Sequence, residues 1–477
     1  MQRNEILTEA VKRKLFLVPD AMEILESNGY STEFIIAILD GLSKGNNPFV
    51  TAKDVTDFLN GDKALMEPER IVTPRVPKNG DIEVLSGSDI SGNSTCTGTI
   101  EDFIRFFRSR YDQLKKILMD RVGVATPISS AKTLSRDCYI IGMVSETRTT
   151  TNGHLKLTLE DTSGSISVLI HKEGPLKDEL FVNDEVVAFK GSCGSKGDMF
   201  FPKELIRPDI PQTHQWIKSD SCASVAFLSD IHIGSHEFLV NNWEKMINWL
   251  KNDPAANGIG YIVMPGDVVD GIGAYPDQDK DLDIKDIYAQ YDTLADYVKQ
   301  IPDDIKIVMH PGNHDACRLA EPQPALAEMY TKKFDSNVIM TGNPIDLKIE
   351  GRTITSYHGK SIDDWISAVR GMSYEDPLAV MKEMCKRRHL APVYGQRNAL
   401  APEKKDYLVM DRVPDIFVSG HVHGAGSMIY RGVRLINAST WQSQTDYQAK
   451  HNFNPDPGIM PIVHLGTGHV EMKNFMK

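Results

Sequence analysis

The sequence predicts a multidomain α/β protein: a small N-terminal helical module, a compact β-barrel and a large C-terminal α/β domain. Three patterns predict it. In the first 60 residues, segments such as ILTEAVKRKLFL and STEFIIAILDGL carry apolar residues at helical spacing. Residues 126–210 hold short β-branched runs broken by Asn-Gly and Ser-Gly turns. Beyond residue 222, β-branched runs end in loops rich in Gly, Asp, His and Asn, as buried parallel strands do when their C-terminal loops carry function.

Composition bounds the problem. A chain of 477 residues suits two or three domains, and 41% hydrophobic with 25% charged residues is ordinary for a soluble globular protein. No stretch approaches the roughly 18–20 apolar residues of a membrane span, and the N-terminus MQRNEILTEAVKRK lacks the apolar segment of a secretory signal. The six cysteines are scattered without paired spacing, which favours a reducing compartment over a disulfide framework or a zinc ribbon. A net charge of −12 argues against a globally basic nucleic-acid coat, but leaves room for a local basic groove.

In chain order, residues 1–60 read as the helical module, with Ser31 as an N-cap and VTAKDVTDFL as a further short helix. The module suits protein contacts, with DNA contact as the alternative. Residues 61–98, rich in proline and small polar residues, read as a flexible linker. The next domain, 99–215, opens with a helix in which Thr99 and Asp102 can form a capping box. Ile100, Phe103, Ile104, Phe107, Tyr111, Leu114 and Leu118 mark its expected apolar face; Arg105, Arg108, Arg110, Lys115 and Lys116 are expected to be solvated. Five strands in about 80 residues then suit a Greek-key barrel of OB type. Its aromatic supply is thin (Tyr139, Phe181, Phe189, Phe200 and Phe201), so protein docking and single-strand binding both stay open.

The C-terminal domain, 222–477, carries the chemistry. Its strand-end stretches read SDIHIG (229–234), PGDVVDG (265–271), PGNHDA (311–316), YHGKS (357–361) and SGHVHG (419–424). Together they offer Asp230, His232, Asp267, Asn313, His358, His421 and His423, enough for two metal ions sharing one carboxylate. Mixed carboxylate, amide and imidazole donors suit manganese, iron or zinc better than calcium alone. In extended backbone, the two-residue spacings of D-x-H and H-x-H would aim both side chains of each pair to one side. Asp267 is the expected bridge and Asn313 a neutral ligand. His314 cannot easily reach the same ion, which leaves it to protonate a leaving oxygen, with Asp315 orienting it and Asp270 supporting the ligands. The basic run Lys386, Arg387, Arg388 could steer a DNA backbone toward the site, or simply decorate a helix. The acidic stretch DQDKDLDIKD (277–286) is expected to be an exposed loop.

The order D-x-H, G-D-x-x-D, G-N-H-D, H, G-H-x-H resembles the calcineurin-like metallophosphoesterase superfamily. The stretches DGIGAYPDQ (270–278), HPGNHDACRLAEPQP (310–324), SYHGKSIDD (356–364), KRRHLAPVYG (386–395) and VPDIFVSGHVHGAG (413–426) are similar, more narrowly, to the small subunits of archaeal family D DNA polymerases. That resemblance implies a two-sheet sandwich flanked by helices, with metals at the strand ends. It implies a heterodimer with a large catalytic polymerase subunit in the cytoplasm of an archaeal cell. It also implies 3′–5′ exonuclease proofreading of a DNA primer end or single strand, using two divalent ions: manganese first, with magnesium, iron or zinc as alternatives. The related eukaryotic accessory subunits generally lack such ligands, so their retention favours an active nuclease. A scaffold role and a phosphoesterase acting on other substrates are the alternatives.

Overall fold

The computed structural model describes residues 3–27, 32–43, 48–55, 82–450 and 453–477. The chain divides into two compact units, Met1–Thr73 and Pro74–Lys477. In the first, helices α1 (Arg3–Lys12), α2 (Pro19–Ser27) and α3 (Thr32–Leu42) surround a core containing Ile6, Leu25, Ile35 and Leu39. The expected first helix is shorter than its apolar run, because Phe16–Leu17 (β1) pairs in parallel with Phe49–Val50 (β2). Ser31 lies outside the described residues, as does most of the expected helix after Val55.

In the second unit the linker expectation is corrected. Residues 61–81 lie outside the described residues, but 82–98 are built into the domain. β3 (Ile82–Val84) joins a sheet beside Ile345–Ile349, and the Glu403 carboxylate accepts from the backbone N–H groups of Thr95 and Cys96 at 2.9 and 3.0 Å. A segment with few apolar residues is held here by its backbone and polar groups, which composition does not register.

Helix α4 (Ile100–Val122) opens with the expected capping box. Its buried face differs from the expected one. Phe106 and Arg110 are buried with Tyr111, Leu114 and Leu118, while Ile100 and Ile104 are 74% and 53% exposed. Arg110 turns inward because Asp406, from the C-terminal domain, meets it with Nε–Oδ2 at 2.7 Å.

Strands β4 (Cys138–Thr149), β5 (Leu155–Asp161), β6 (Gly164–Ile170), β7 (Val186–Cys193) and β8 (Met199–Ile206) close a barrel in the order β4-β5-β6-β8-β7, with β6 and β8 parallel. Its interior takes Val144, Leu157, Leu159, Val168, Phe189 and Phe200. Two of the five candidate stacking aromatics thus belong to the core; Phe201 faces outward at 45% exposure.

The C-terminal domain is a sandwich of two six-stranded sheets. The first contains β9 (Ser224–Phe227), β10 (Ile259–Pro265), β11 (Lys306–His310), β12 (Val338–Met340), β18 (Ile459–His464) and β19 (Val470–Asn474) in the order β12-β11-β10-β9-β18-β19. Its parallel strands β9, β10 and β11 end at three of the sequence stretches. The second adds β13 (Ile345–Ile349), β14 (Arg352–Tyr357), β15 (Ile416–Ser419), β16 (Ala425–Tyr430) and β17 (Val433–Ala438) to β3, in the order β16-β17-β15-β14-β13-β3. Its parallel strands β14 and β15 end at the other two stretches. Facing side chains such as Phe227, Tyr261 and Val263 meet Ile354, Val418 and Ile436 between the sheets. Alternate residues of the same strands, Ile262 and Met264, turn out toward Trp243 of α5 (Val240–Asn252) and Leu294 of α6 (Ile287–Val298). Strands covered on both faces read as continuous apolar runs. The five loops therefore emerge from one end of two sheets, not from the edge of a single sheet. Among the described residues no helix is long and apolar enough to cross a membrane.

Candidate metal centre

The strand ends do not continue in extended backbone. Asp230, His232, Asp267, His421 and His423 have φ of 52°, 54°, 48°, 69° and 52°. Left-handed backbone in non-glycine residues costs about 1–3 kcal/mol each and persists where surrounding structure enforces it. Five such residues together mark this region as built for a purpose beyond packing. The expectation that the H-x-H pair points to one side is corrected, because His421 and His423 join different clusters; Asp230 and His232 do converge, but through left-handed turns and not a pleat.

Two clusters gather the predicted ligands, and a third group sets His232 with Asp270 and His314. Asp230, His232 and His423 bring one ligand atom each within 4.8 Å of one another; Asp267, His358 and His421 do the same. His421 and His423 thus serve different clusters. Asn313 adds its amide oxygen to the second, 3.0 Å from His358 Nε2. All seven predicted donors meet in one place.

The tautomers follow from the partners. His232 Nδ1 lies 2.9 Å from Asp270 Oδ1, and His358 Nδ1 lies 2.9 Å from the carbonyl of Pro265. Both acceptors hold a proton on Nδ1, so both Nε2 atoms face the clusters. His232 Nε2 then confronts His423 Nε2 at 3.2 Å. The Gln448 amide donates to His423 Nδ1 at 3.0 Å, so without an ion His423 Nε2–H bonds to His232 Nε2, and a cation held there would take the place of that proton. The electrostatics agree. Burial opposes charge on His232, yet Asp270, Asp267 and Asp230 pull its pKa up to about 9. Burial likewise opposes charge on His358, but Asp267 and Asp230 raise it to about 10. The cluster attracts positive charge.

His314 is half-buried. Its backbone N–H donates to Asp267 Oδ1 at 2.8 Å, and its Nδ1 lies 2.8 Å from the carbonyl oxygen of Asp270. The role expected of Asp315 is corrected. Its buried carboxylate accepts from the N–H of Gly312 at 2.8 Å and from the Tyr291 hydroxyl at 3.1 Å, so it shapes the loop, and Asp270 orients the imidazole. Burial, with Asp267 nearby, raises the Asp315 carboxyl to about 6.

Sequence reasoning missed several supports. Gln278 Nε2 donates to Asp270 Oδ2 at 2.7 Å, the Gln448 amide lies 3.0 Å from His423 Nδ1, and Asp363 Oδ1 lies 3.3 Å from His421 Nε2. Asp363 sits inside SYHGKSIDD, but nothing in its spacing marks it. Gln278 anchors the acidic stretch, which is otherwise largely exposed as expected.

The steering role of the basic run is also corrected. Arg387 is 1% exposed and pairs with Glu185 at 2.9 Å, and Arg388 is 2% exposed with its Nε donating to the Met410 carbonyl at 2.6 Å. Lys386 keeps partial solvent contact but pairs with Glu383 at 2.5 Å. Arg387 joins the barrel to the sandwich; the two arginines offer no surface to a nucleic-acid backbone.

Gly312 carries a strict constraint. A Cβ there would lie 2.3 Å from Asp267 Oδ1 and 2.7 Å from His358 Cε1. Gly312→Ala is expected to displace both side chains and weaken Mn²⁺ binding at least about tenfold, as loss of ligand support does elsewhere. Calorimetric titration with Mn²⁺ checks this, and unchanged affinity would remove the second cluster from the metal centre.

Residues 225–424 match the model of a family described as the B-type subunits of DNA polymerases alpha and epsilon. The DNA polymerase II small subunit of Archaeoglobus fulgidus is 39% identical over 98% of this chain and 98% of its own. That of Thermoplasma acidophilum is 40% identical over 100% and 93%, and that of Methanocaldococcus jannaschii 43% identical over 80% and 67%. A solved structure titled as a novel archaeal phosphodiesterase aligns with 52% of this chain and 98% of its own at 12% identity and a TM-score of 0.28, too distant to carry an argument. With near-complete coverage at such identity, the chain belongs to the family of archaeal DNA polymerase II small subunits, the small subunits of family D polymerases.

Proposed function

We propose that this chain is the small subunit of a heterodimeric replicative polymerase, and that its strand-end site is a calcineurin-like 3′–5′ exonuclease that removes misinserted nucleotides from DNA. The observation that carries the reading is the convergence of seven possible ligands, six of them in two close clusters with Asn313 beside the second. Asp230, His232 and His423 would hold one divalent cation; Asp267, Asn313, His358 and His421 would hold a second, with Asp267 shared. Manganese is the first choice for both ions. Bound there, the pair would offset the phosphodiester's charge and lower the pKa of an attacking water.

The chain's own residues do the rest. The Asp270 carbonyl accepts from His314 Nδ1–H, so the proton passed to the leaving oxygen would be the Nε2 proton of the imidazolium, which ends as neutral imidazole. Asp315 and Tyr291 hold the loop that presents it. We also read the barrel as an OB fold: its strand order and its parallel β6–β8 pair support this, and its filled interior favours protein docking over base stacking.

Digestion of a 5′-labelled single strand and a 3′-mismatched duplex with Mn²⁺ tests the proposal. Stepwise shortening from the 3′ end is expected, and none, even with a large subunit present, would leave a scaffold. His314→Ala should cut the rate about 10²–10⁴-fold while Mn²⁺ binding persists. Lost metal would make His314 a ligand instead.

A further inference from the structure

Six rings run in a row across the metal centre. Tyr275 meets His314 edge-on at 6.4 Å between centroids, His314 meets His232 at 4.8 Å, and His232 meets His423 at 5.0 Å. His423 then meets Phe453 at 6.4 Å, and Phe453 meets Tyr374 at 6.0 Å. The inner three are imidazoles of the site; the outer three have no ligating nitrogen. Tyr275 and Phe453 therefore each abut a histidine of the centre, one at His314 and the other at His423.

Both rings are half-buried and set on anchored backbone. The Tyr275 hydroxyl donates to Asp281 Oδ2 at 3.0 Å, and the neighbouring Ala274 N–H donates to Gln278 Oε1 at 2.8 Å. The Phe453 N–H donates to the Gln448 carbonyl at 2.9 Å, from the same residue whose amide meets His423. Positioned aromatic rings beside a phosphodiester site suit nucleobases freed from their stack, which rings bind with little regard to sequence. A phosphomonoester or a phosphoprotein has no flat group to place there, and a paired end keeps its bases stacked on one another.

We propose that Tyr275 and Phe453 form two nucleobase-stacking subsites beside the centre, so that the site takes the unpaired end of a strand. The inference rests on the nuclease reading above and adds its substrate preference.

The test compares a 5′-labelled single strand with the same strand ending in tetrahydrofuran abasic residues, using the full-length chain and Mn²⁺. The wild type is expected to favour the base-bearing end by roughly tenfold in kcat/KM, carried mainly by KM. Phe453→Leu and Tyr275→Leu should each erase much of that preference. Tyr275→Phe, which keeps the ring and loses the hydroxyl, should retain the preference. Equal rates on both strands in the wild type, or preference surviving in both leucine variants, would overturn the stacking subsites while the nuclease reading stands. Failure to cut either strand while bis(4-nitrophenyl) phosphate is hydrolysed would overturn the nuclease reading, and the subsites with it.

Discussion

Asp267→Ala is expected to abolish Mn²⁺-dependent hydrolysis and to reduce bound Mn²⁺ from two ions to one or none. The side chain is 2% exposed; its Oδ1 accepts from the His314 N–H at 2.8 Å and its Oδ2 lies 3.3 Å from His358 Nε2. Burial works against its ionisation, but His358 and His314 hold the carboxyl well below the usual range. It therefore presents negative charge where two clusters adjoin and also fixes the residue proposed as proton donor. Since loss of an outer support typically costs 10–100-fold in metal affinity or activity, loss of this carboxylate should cost more than about a hundredfold. Asp267→Asn separates the two roles, because it can keep the bond to the His314 backbone while removing the charge. Both variants should lose metal; two ions still bound in Asp267→Asn would refute the bridge.

Arg110→Met should have the largest effect on stability, about 3–5 kcal/mol. Arg110 is wholly buried between α4 and the sandwich, where its Nε pairs with Asp406 at 2.7 Å and its Nη1 donates to the Pro392 carbonyl. Asp406 also meets His389 Nε2 at 2.9 Å. Burial and the Arg110 charge push the His389 pKa down to about 4, so a neutral imidazole and one guanidinium serve one carboxylate. Without Arg110 that carboxylate stays buried with only the His389 imidazole and the Leu408 N–H as partners. Urea unfolding of the full chain reads the loss as an earlier transition. Arg110→Met combined with Asp406→Leu should recover most of it, because two apolar side chains leave no orphaned charge. A single variant within about 1 kcal/mol of wild type would show that the pair contributes little.

Whether a feature is legible in the chain depends on whether its role is local. The capping box at Thr99 and Asp102 involves residues three apart and is readable from spacing. The seven donors are readable because each lies in a loop that follows a short apolar strand, and the parallel strands of each of the two sheets send their C-terminal loops the same way. Arg110, Arg387 and Arg388 mislead for the opposite reason. A basic residue on a helix reads as solvated unless its partner is known. Asp406 lies 296 residues from Arg110, and the partner of Arg387, Glu185, belongs to the barrel. Residues 82–98 mislead similarly: their composition is that of a linker, but a strand partner and Glu403 hold them in the fold.

Residue type and short-range order are enough to show which possible ligands the chain carries, that they follow strand ends, and which family the chain resembles. How the donors divide is a matter of three-dimensional packing. His421 and His423, two residues apart, part company because left-handed backbone at both turns one toward Asp267 and His358 and the other toward Asp230 and His232. Packing also makes the Asp270 carbonyl, not Asp315, the group that orients His314, and sets two aromatic rings beside the centre. Such outcomes depend on where two sheets and their loops come to rest against each other, and no short stretch of chain carries that information.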